Sequence, residues 1–190
     1  MLRIIIVILL INILSNIGYA QEPMKKVPKQ KSFELGMRYI TSSTFDEKPN
    51  FGTTLLFDYA WQLSGFTETK KAAYISVPLG YTYLMNENDT ASKNTRILSY
   101  GWTVRHELAK NKKIIPFLGY GLLLNQLKID GVDGGVMGHQ TRFDFGIDFI
   151  TESKIRYFAK IEYSYTRYPR LGDKKSNTIS AAEIKLGIRF

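Results

Sequence analysis

The chain has 190 residues, no cysteine and a formal net charge of +9. Without cysteine there is no disulfide, no thiolate metal site, no cysteine nucleophile and no lipid-modified cysteine, so packing and hydrogen bonding alone must hold the fold. The basic excess suits anionic lipid or nucleic acid, but no nucleic-acid motif is present.

Met1-Leu2-Arg3 is a short basic start, and Ile4 to Leu14 is an apolar run broken only by Asn12. A more polar stretch follows, with Gly18 and Ala20 at the −3 and −1 positions for cleavage before Gln21. This is the three-part pattern of a secretory signal peptide. The run is too short to span a bilayer as a helix, which takes about 20 apolar residues. Residues 1–20 are therefore set aside as a signal peptide. Residues 21–32, with Lys25, Lys26, Lys29 and Lys31 among prolines, read as a flexible periplasmic tail, and 33–190 as one domain.

From Phe33 onward the hydrophobic pattern has period two, the mark of strands with two unlike faces. The alternation predicts strands over 33–42, 51–63, 71–84, 94–107, 114–124, 137–150, 154–166 and 177–190. Connections at 64–70, 108–113 and 151–153 are short. Those at 43–50, 85–93, 125–136 and 167–176 are longer, polar and rich in Gly, Asn and Asp. Short turns on one side and long loops on the other predict an up-and-down antiparallel barrel with both chain ends on the short-turn side.

One face of the strands carries Phe33, Leu35, Met37 and Tyr39, then Leu55, Phe57, Tyr59 and Trp61, and so on to Ile184, Leu186, Ile188 and Phe190. The other face carries seven acids, Glu34, Asp58, Glu107, Asp144, Asp148, Glu162 and Glu183. It also carries seven bases, Arg38, Arg105, Arg142, Arg156, Lys160, Lys185 and Arg189, among glycines and serines. Period alone does not say which face is inside, and a soluble lipocalin-like barrel would bury the apolar one. Volume decides. Eight strands enclose an interior just wide enough for side chains to fill. Dozens of Leu, Phe, Tyr and Trp side chains do not fit there, whereas small residues and a balanced set of charges do. The apolar face then points outward, which only lipid tolerates. Tyr39, Tyr81, Tyr83, Tyr163 and Tyr165 gather toward the long-loop ends, and Phe33, Tyr59, Trp61, Phe149, Tyr157 and Phe190 toward the short-turn ends, as two interfacial girdles would. Arg96 and His106 fall on the apolar face near strand ends, and Pro78, which has no N–H, predicts a bulge in the third strand.

These features resemble the small outer-membrane barrels of the OmpA transmembrane-domain, OmpX and OmpW type, over nearly all of residues 21–190. The ending Ile184-Lys185-Leu186-Gly187-Ile188-Arg189-Phe190 looks like the family's C-terminal assembly signal, an aromatic preceded by apolar residues in step. Pro116-Phe117-Leu118-Gly119-Tyr120-Gly121 resembles a common strand start. The resemblance implies an eight-stranded transmembrane barrel in the bacterial outer membrane, inserted by the barrel-assembly machinery, monomeric and without a cofactor. No peptidoglycan-binding domain is expected after the barrel.

Chemistry is sparse. No metal-ligand spacing, phosphate loop or nucleophile elbow is present. His139 lies near the outer end of the sixth strand, with Asp130 and Asp133 before it, Thr141 nearby and Ser176 as a hydroxyl from another loop. A lipid-A-modifying enzyme would need a histidine, a hydroxyl and a carboxylate together there. The lumen charges read as a paired plug or as the lining of a narrow pore. Arg105, Arg142, Asp144 and Glu162 are expected at the centre of the plug. Arg167, Arg170, Lys174 and Lys175, facing Asp173, are candidates for contact with lipopolysaccharide phosphates. Four function classes follow: a structural or surface-interaction barrel, a narrow channel for ions or small solutes, an enzyme on envelope lipid, and a soluble ligand binder.

Overall fold

The computed structural model describes residues 29–45, 50–64, 71–85, 94–109, 113–131, 134–151, 155–169 and 176–190. The signal-peptide reading, and the tail as far as residue 28, lie outside them. Eight strands follow in order: β1 (Lys29–Ser43), β2 (Phe51–Ser64), β3 (Ala73–Met85), β4 (Thr95–Glu107), β5 (Ile114–Ile129), β6 (Val136–Ile150), β7 (Arg156–Tyr168) and β8 (Asn177–Arg189). Each pairs antiparallel with the next, and β8 pairs with β1 to close the barrel. Closure matters because an open sheet edge leaves a row of backbone donors and acceptors unpaired, which a membrane does not tolerate.

The strands tilt. Stepping from partner to partner, Lys29 leads through Trp61, Ile75, Val104, Tyr120, Phe143, Tyr163 and Ala182 back to Tyr39, ten residues further along β1. That stagger sets the strand inclination and the bore of an eight-stranded barrel.

The apolar face is the outer one. Leu35, Met37, Phe143, Ile161, Ile184 and Leu186 are all more than 60% exposed, while Glu34, Glu162, Glu183 and Lys185 are 3% or less. Val104 is the exception: it lies in the outward phase, opposite Ile75 and Tyr120, yet is buried.

Three details differ from the sequence reading. First, β1 begins at Lys29 rather than 33, so Lys29 to Ser32 belong to the wall and not to a tail. The cause is the partner: the Lys31 and Phe190 backbones exchange two hydrogen bonds, of 2.8 and 3.0 Å, which extend the β1–β8 seam past the last apolar residue of the pattern. Second, β5 runs on to Ile129, because Lys128 and Gln126 keep the outward phase with polar side chains. Third, Pro78 causes no bulge. The β3–β4 register is the same on either side of it, at Ser76↔Thr103 and Leu79↔Tyr100, and only the pairs between are missing. The register shifts fall elsewhere, between Ile40 and Ser42 against β8 and between Gln62 and Ser64 against β3.

Candidate functional site

The lumen is filled in layers. At the long-loop end Ile40, Leu84, Ile97, Leu127, Tyr168, Ile179 and Ala181 point inward and pack as one apolar cluster, with Phe45, Ile129 and Val136 against it. Below lies a neutral polar layer, in which Thr54 and Thr82 are hydrogen-bonded at 2.9 Å and Asn125 donates to Thr166 at 3.3 Å.

The charged middle layer comes next. Arg38 grips Glu183 through Nε and Nη2 at 3.0 and 2.9 Å. Glu162 is the hub: Lys185 Nζ lies 2.8 Å from its Oε2, Arg142 Nη1 3.5 Å and Lys160 Nζ 3.9 Å. Lys160 also pairs with Glu34 at 2.7 Å, and Lys185 with Glu183 at 3.5 Å. Asp58 and Asp144 share this layer but form no ion pair within 4.0 Å among the described residues. Taking two charges out of water costs several kcal/mol per ion unless they are paired and hydrogen-bonded, so a multiply shared carboxylate such as Glu162 is the arrangement that keeps this layer tolerable.

The short-turn end holds a second ionic layer, built around Asp148. Arg189 Nη1 is in direct contact with its carboxylate, and Arg105 Nη1 lies at 3.1 Å. Arg105 also donates to Gln30 Oε1 at 2.7 Å, and Arg156 pairs with Glu107 at 3.0 Å. Aromatic rings pack against the arginines of this lower layer, with Tyr74 in register with Arg105 and Phe158 with Asp148. The Arg105 guanidinium sits 4.3 Å from the Tyr74 centroid and that of Arg189 4.4 Å from the Phe158 centroid, while Phe117 and Phe158 meet edge to face. Glycines make room for these rings: a Cβ on Gly146 would collide with Phe117, and one on Gly187 with Phe158.

The structure therefore brings the fourteen lumen charges singled out in the sequence to the interior, in two groups rather than one. Arg105 belongs to the lower group, apart from Arg142, Asp144 and Glu162. The sequence reading missed the apolar roof and the inward aromatics. Their signal was available, since Leu84 stands in phase with Thr82 and Gly80, and Phe117 with Gly119 and Gly121. Between the ionic layers is one small cavity of about 20 Å³, bordered by Glu34, Asp58 and Asp144 and by Arg105, Arg142 and Lys160. It has room for one or two waters.

On the outside, His139 and Thr141 both project from β6 near the long-loop end. Their neighbours are Arg167 and Tyr165 on β7 and Leu124 and Leu122 on β5. Of the two carboxylates, Asp130 pairs with Arg96 at 3.3 Å, and Asp133 lies outside the described residues. Ser176 precedes β8, which β7 separates from the strand of His139. No group of side chains able to hold a metal occurs among the described residues. Of the four cations proposed to contact lipopolysaccharide, Arg167 is exposed at the end of β7, and Arg170, Lys174 and Lys175 lie outside the described residues.

This is the architecture of the small eight-stranded outer-membrane barrels: closed, up-and-down, apolar outside and polar within. The structure is similar to that of Neisserial surface protein A (TM-score 0.62, 13% identity, 85% of this chain and 95% of that one). It is also similar to the outer membrane enzyme PagL (0.51, 15%, 82% and 97%) and to the outer membrane protein OprG from Pseudomonas aeruginosa (0.50, 10%, 87% and 97%). No protein-family model and no curated protein matches the sequence. At these identities the likeness is one of fold.

Proposed function

We propose that the chain is an integral bacterial outer-membrane barrel with its long loops facing out, exported through a cleaved signal peptide, and that its role is structural or one of surface interaction rather than conduction. The observation that carries this reading is the filled lumen. An apolar roof, a neutral polar layer, two ionic layers and a set of rings occupy it, and the cavity between the ionic layers is about 20 Å³. The outward Ile184, Leu186, Ile188 and Phe190 serve as the assembly signal, Arg167, Arg170, Lys174 and Lys175 contact lipopolysaccharide phosphates, and the barrel works as a monomer.

The test is electrical. Purified protein that migrates faster unboiled than boiled is incorporated into a planar bilayer. Absence of unitary conductance steps supports the closed reading, and reproducible steps would replace it with the narrow channel. An enzyme on envelope lipid is a weaker reading, resting on His139 beside Thr141 and on the likeness to PagL. Unchanged envelope lipid composition in a His139→Ala strain would remove it.

A further inference from the structure

Around the long-loop rim, the last outward positions of the strands are not alike. On β8, β1, β2 and β3 they are Ser180, Thr178, Tyr39, Phe51, Thr53, Tyr83 and Met85, all uncharged. On β4 to β7 they include Arg96, Lys128, His139 and Arg167, all exposed. One half of the rim is thus neutral and the other half basic.

The basic half is also arranged against ordinary sheet preference. Arg96 stands directly opposite Lys128, and His139 directly opposite Arg167. Arg96 and Lys128 are like charges facing across two strands, which repel and destabilise the pair. Asp130 offsets this only at Arg96, through a 3.3 Å contact. Lys128 and Arg167 have no anionic partner among the described residues. Below these residues, past Gln126 on β5 and Thr141 on β6, the outward residues turn apolar and aromatic: Leu98 and Tyr100, Leu122 and Leu124, Phe143, Tyr163 and Tyr165.

We propose that this half-rim is a binding site for a phosphorylated, multiply acylated glycolipid of the outer leaflet. Arg96, Lys128, His139 and Arg167 engage its phosphates, and the aromatic and aliphatic wall beneath takes its acyl chains. A phosphate set between Arg96 and Lys128 turns their repulsion into charge-assisted hydrogen bonds, and a second one between His139 and Arg167 is held by the arginine fork, with the imidazole beside it. The apolar wall explains why the ligand is a lipid and not free phosphate, and the neutral half-rim explains why the lipid binds on one side. The inference rests on the outward placement of the long loops and adds to Arg167 three residues on three other strands.

The test uses the full chain in phosphatidylcholine nanodiscs doped with a trace of bisphosphorylated lipid A, and reads lipid A retained per protein. The four-site variant Arg96→Gln, Lys128→Gln, His139→Gln and Arg167→Gln is expected to lose retention by about tenfold or more, since each cation near an anionic headgroup contributes a severalfold factor. The control Lys29→Gln with Lys31→Gln, on the opposite rim, keeps it. Lipid A stripped of its phosphates is not retained, and inorganic phosphate at equal concentration does not displace the intact lipid. Equal retention by the four-site variant, or of the stripped lipid, overturns the proposal. If that variant lacks the fast unboiled band, the separate variants Arg96→Gln with Lys128→Gln and His139→Gln with Arg167→Gln replace it, under the same two outcomes. Labelling of Gly134→Cys on intact cells reads the loop placement separately. A labelled cysteine with unchanged lipid retention defeats this inference alone, and an unlabelled one defeats the orientation beneath it.

Discussion

Lys185 and Glu162 meet inside the barrel with Nζ 2.8 Å from Oε2, both side chains about 1% exposed. Yet each faces a residue of its own charge in register, Lys185 opposite Lys160 and Glu162 opposite Glu183. Two repulsive pairs stacked one above the other become a checkerboard in which attraction runs along the diagonals and up the strands. No member can be changed alone without leaving its neighbours exposed to the repulsion it was balancing.

Glu162→Gln therefore removes the shared acceptor of Arg142, Lys160 and Lys185. Breaking a buried pair by deleting one partner costs about 3–5 kcal/mol, because the charge left behind is uncompensated. Urea unfolding in lipid vesicles should show a loss of that order, and the double variant Glu162→Gln with Lys185→Met should recover part of it. An unchanged midpoint for the single variant would remove the network as a stabilising element.

Leu84→Ala, in the apolar roof, should cost about 2–5 kcal/mol, as other large-to-small core changes do. Planar-bilayer recordings of this variant should stay at baseline, because both ionic layers below remain in place. Conductance on thinning the roof alone would mean that the roof is the seal.

Gly187→Ala puts a methyl group where the Phe158 ring lies. Overpacking of this kind costs about 1–3 kcal/mol. Phe158→Leu in the same chain should relieve the ring collision but not the close approach to the Phe33 carbonyl oxygen, and so restore part of the loss, whereas Phe158→Leu alone should lower stability by opening a gap. Denaturation midpoints of the three variants decide the matter, and additive losses would show that the two sites are independent.

Phe190→Ala leaves the backbone pairing with Lys31 possible but removes a ring stacked on Phe33, with centroids 6.1 Å apart. If this side chain serves as the assembly signal, the variant should accumulate less of the fast-migrating band in outer membranes while refolding in detergent almost as well as the parent. Equal loss in both settings would assign the ring to stability instead.

The strands and their faces were legible in the sequence because period two is a local property, and each charge or apolar residue votes on it independently. Ends were less legible where the vote turns polar, as at Lys29 and Lys31 or Gln126 and Lys128. The lumen was legible as a set of charges but not as layers. Whether Arg105 belongs with Asp148 or with Glu162 depends on the ten-residue stagger, and no single strand carries that information. The apolar roof is hidden because the inward face announces itself by charges and small residues, and Leu84 and Ile97 are apolar side chains in that same phase. At the outer rim, the distance from Asp130 to His139 was unreadable for the same reason: the partner that takes Asp130 is Arg96, on a strand 34 residues away in sequence.

The seam between β1 and β8 gives the ionic middle layer a part in how the protein reaches its final form. Arg38 on β1 finds Glu183 on β8, 145 residues away, and Glu34 on β1 finds Lys160 on β7. While the first and last strands are apart, Arg38 and Glu34 have no counterion, and Glu183 and Lys160 keep only their longer same-strand contacts with Lys185 and Glu162. A nearly complete but unclosed sheet is thereby the least favourable species on the way, since it has already lost water around those groups without gaining their partners. Zipping the seam satisfies all four in one step. The wall closes as an all-or-none event, and the charges act as a latch that discourages the protein from lingering with an open edge.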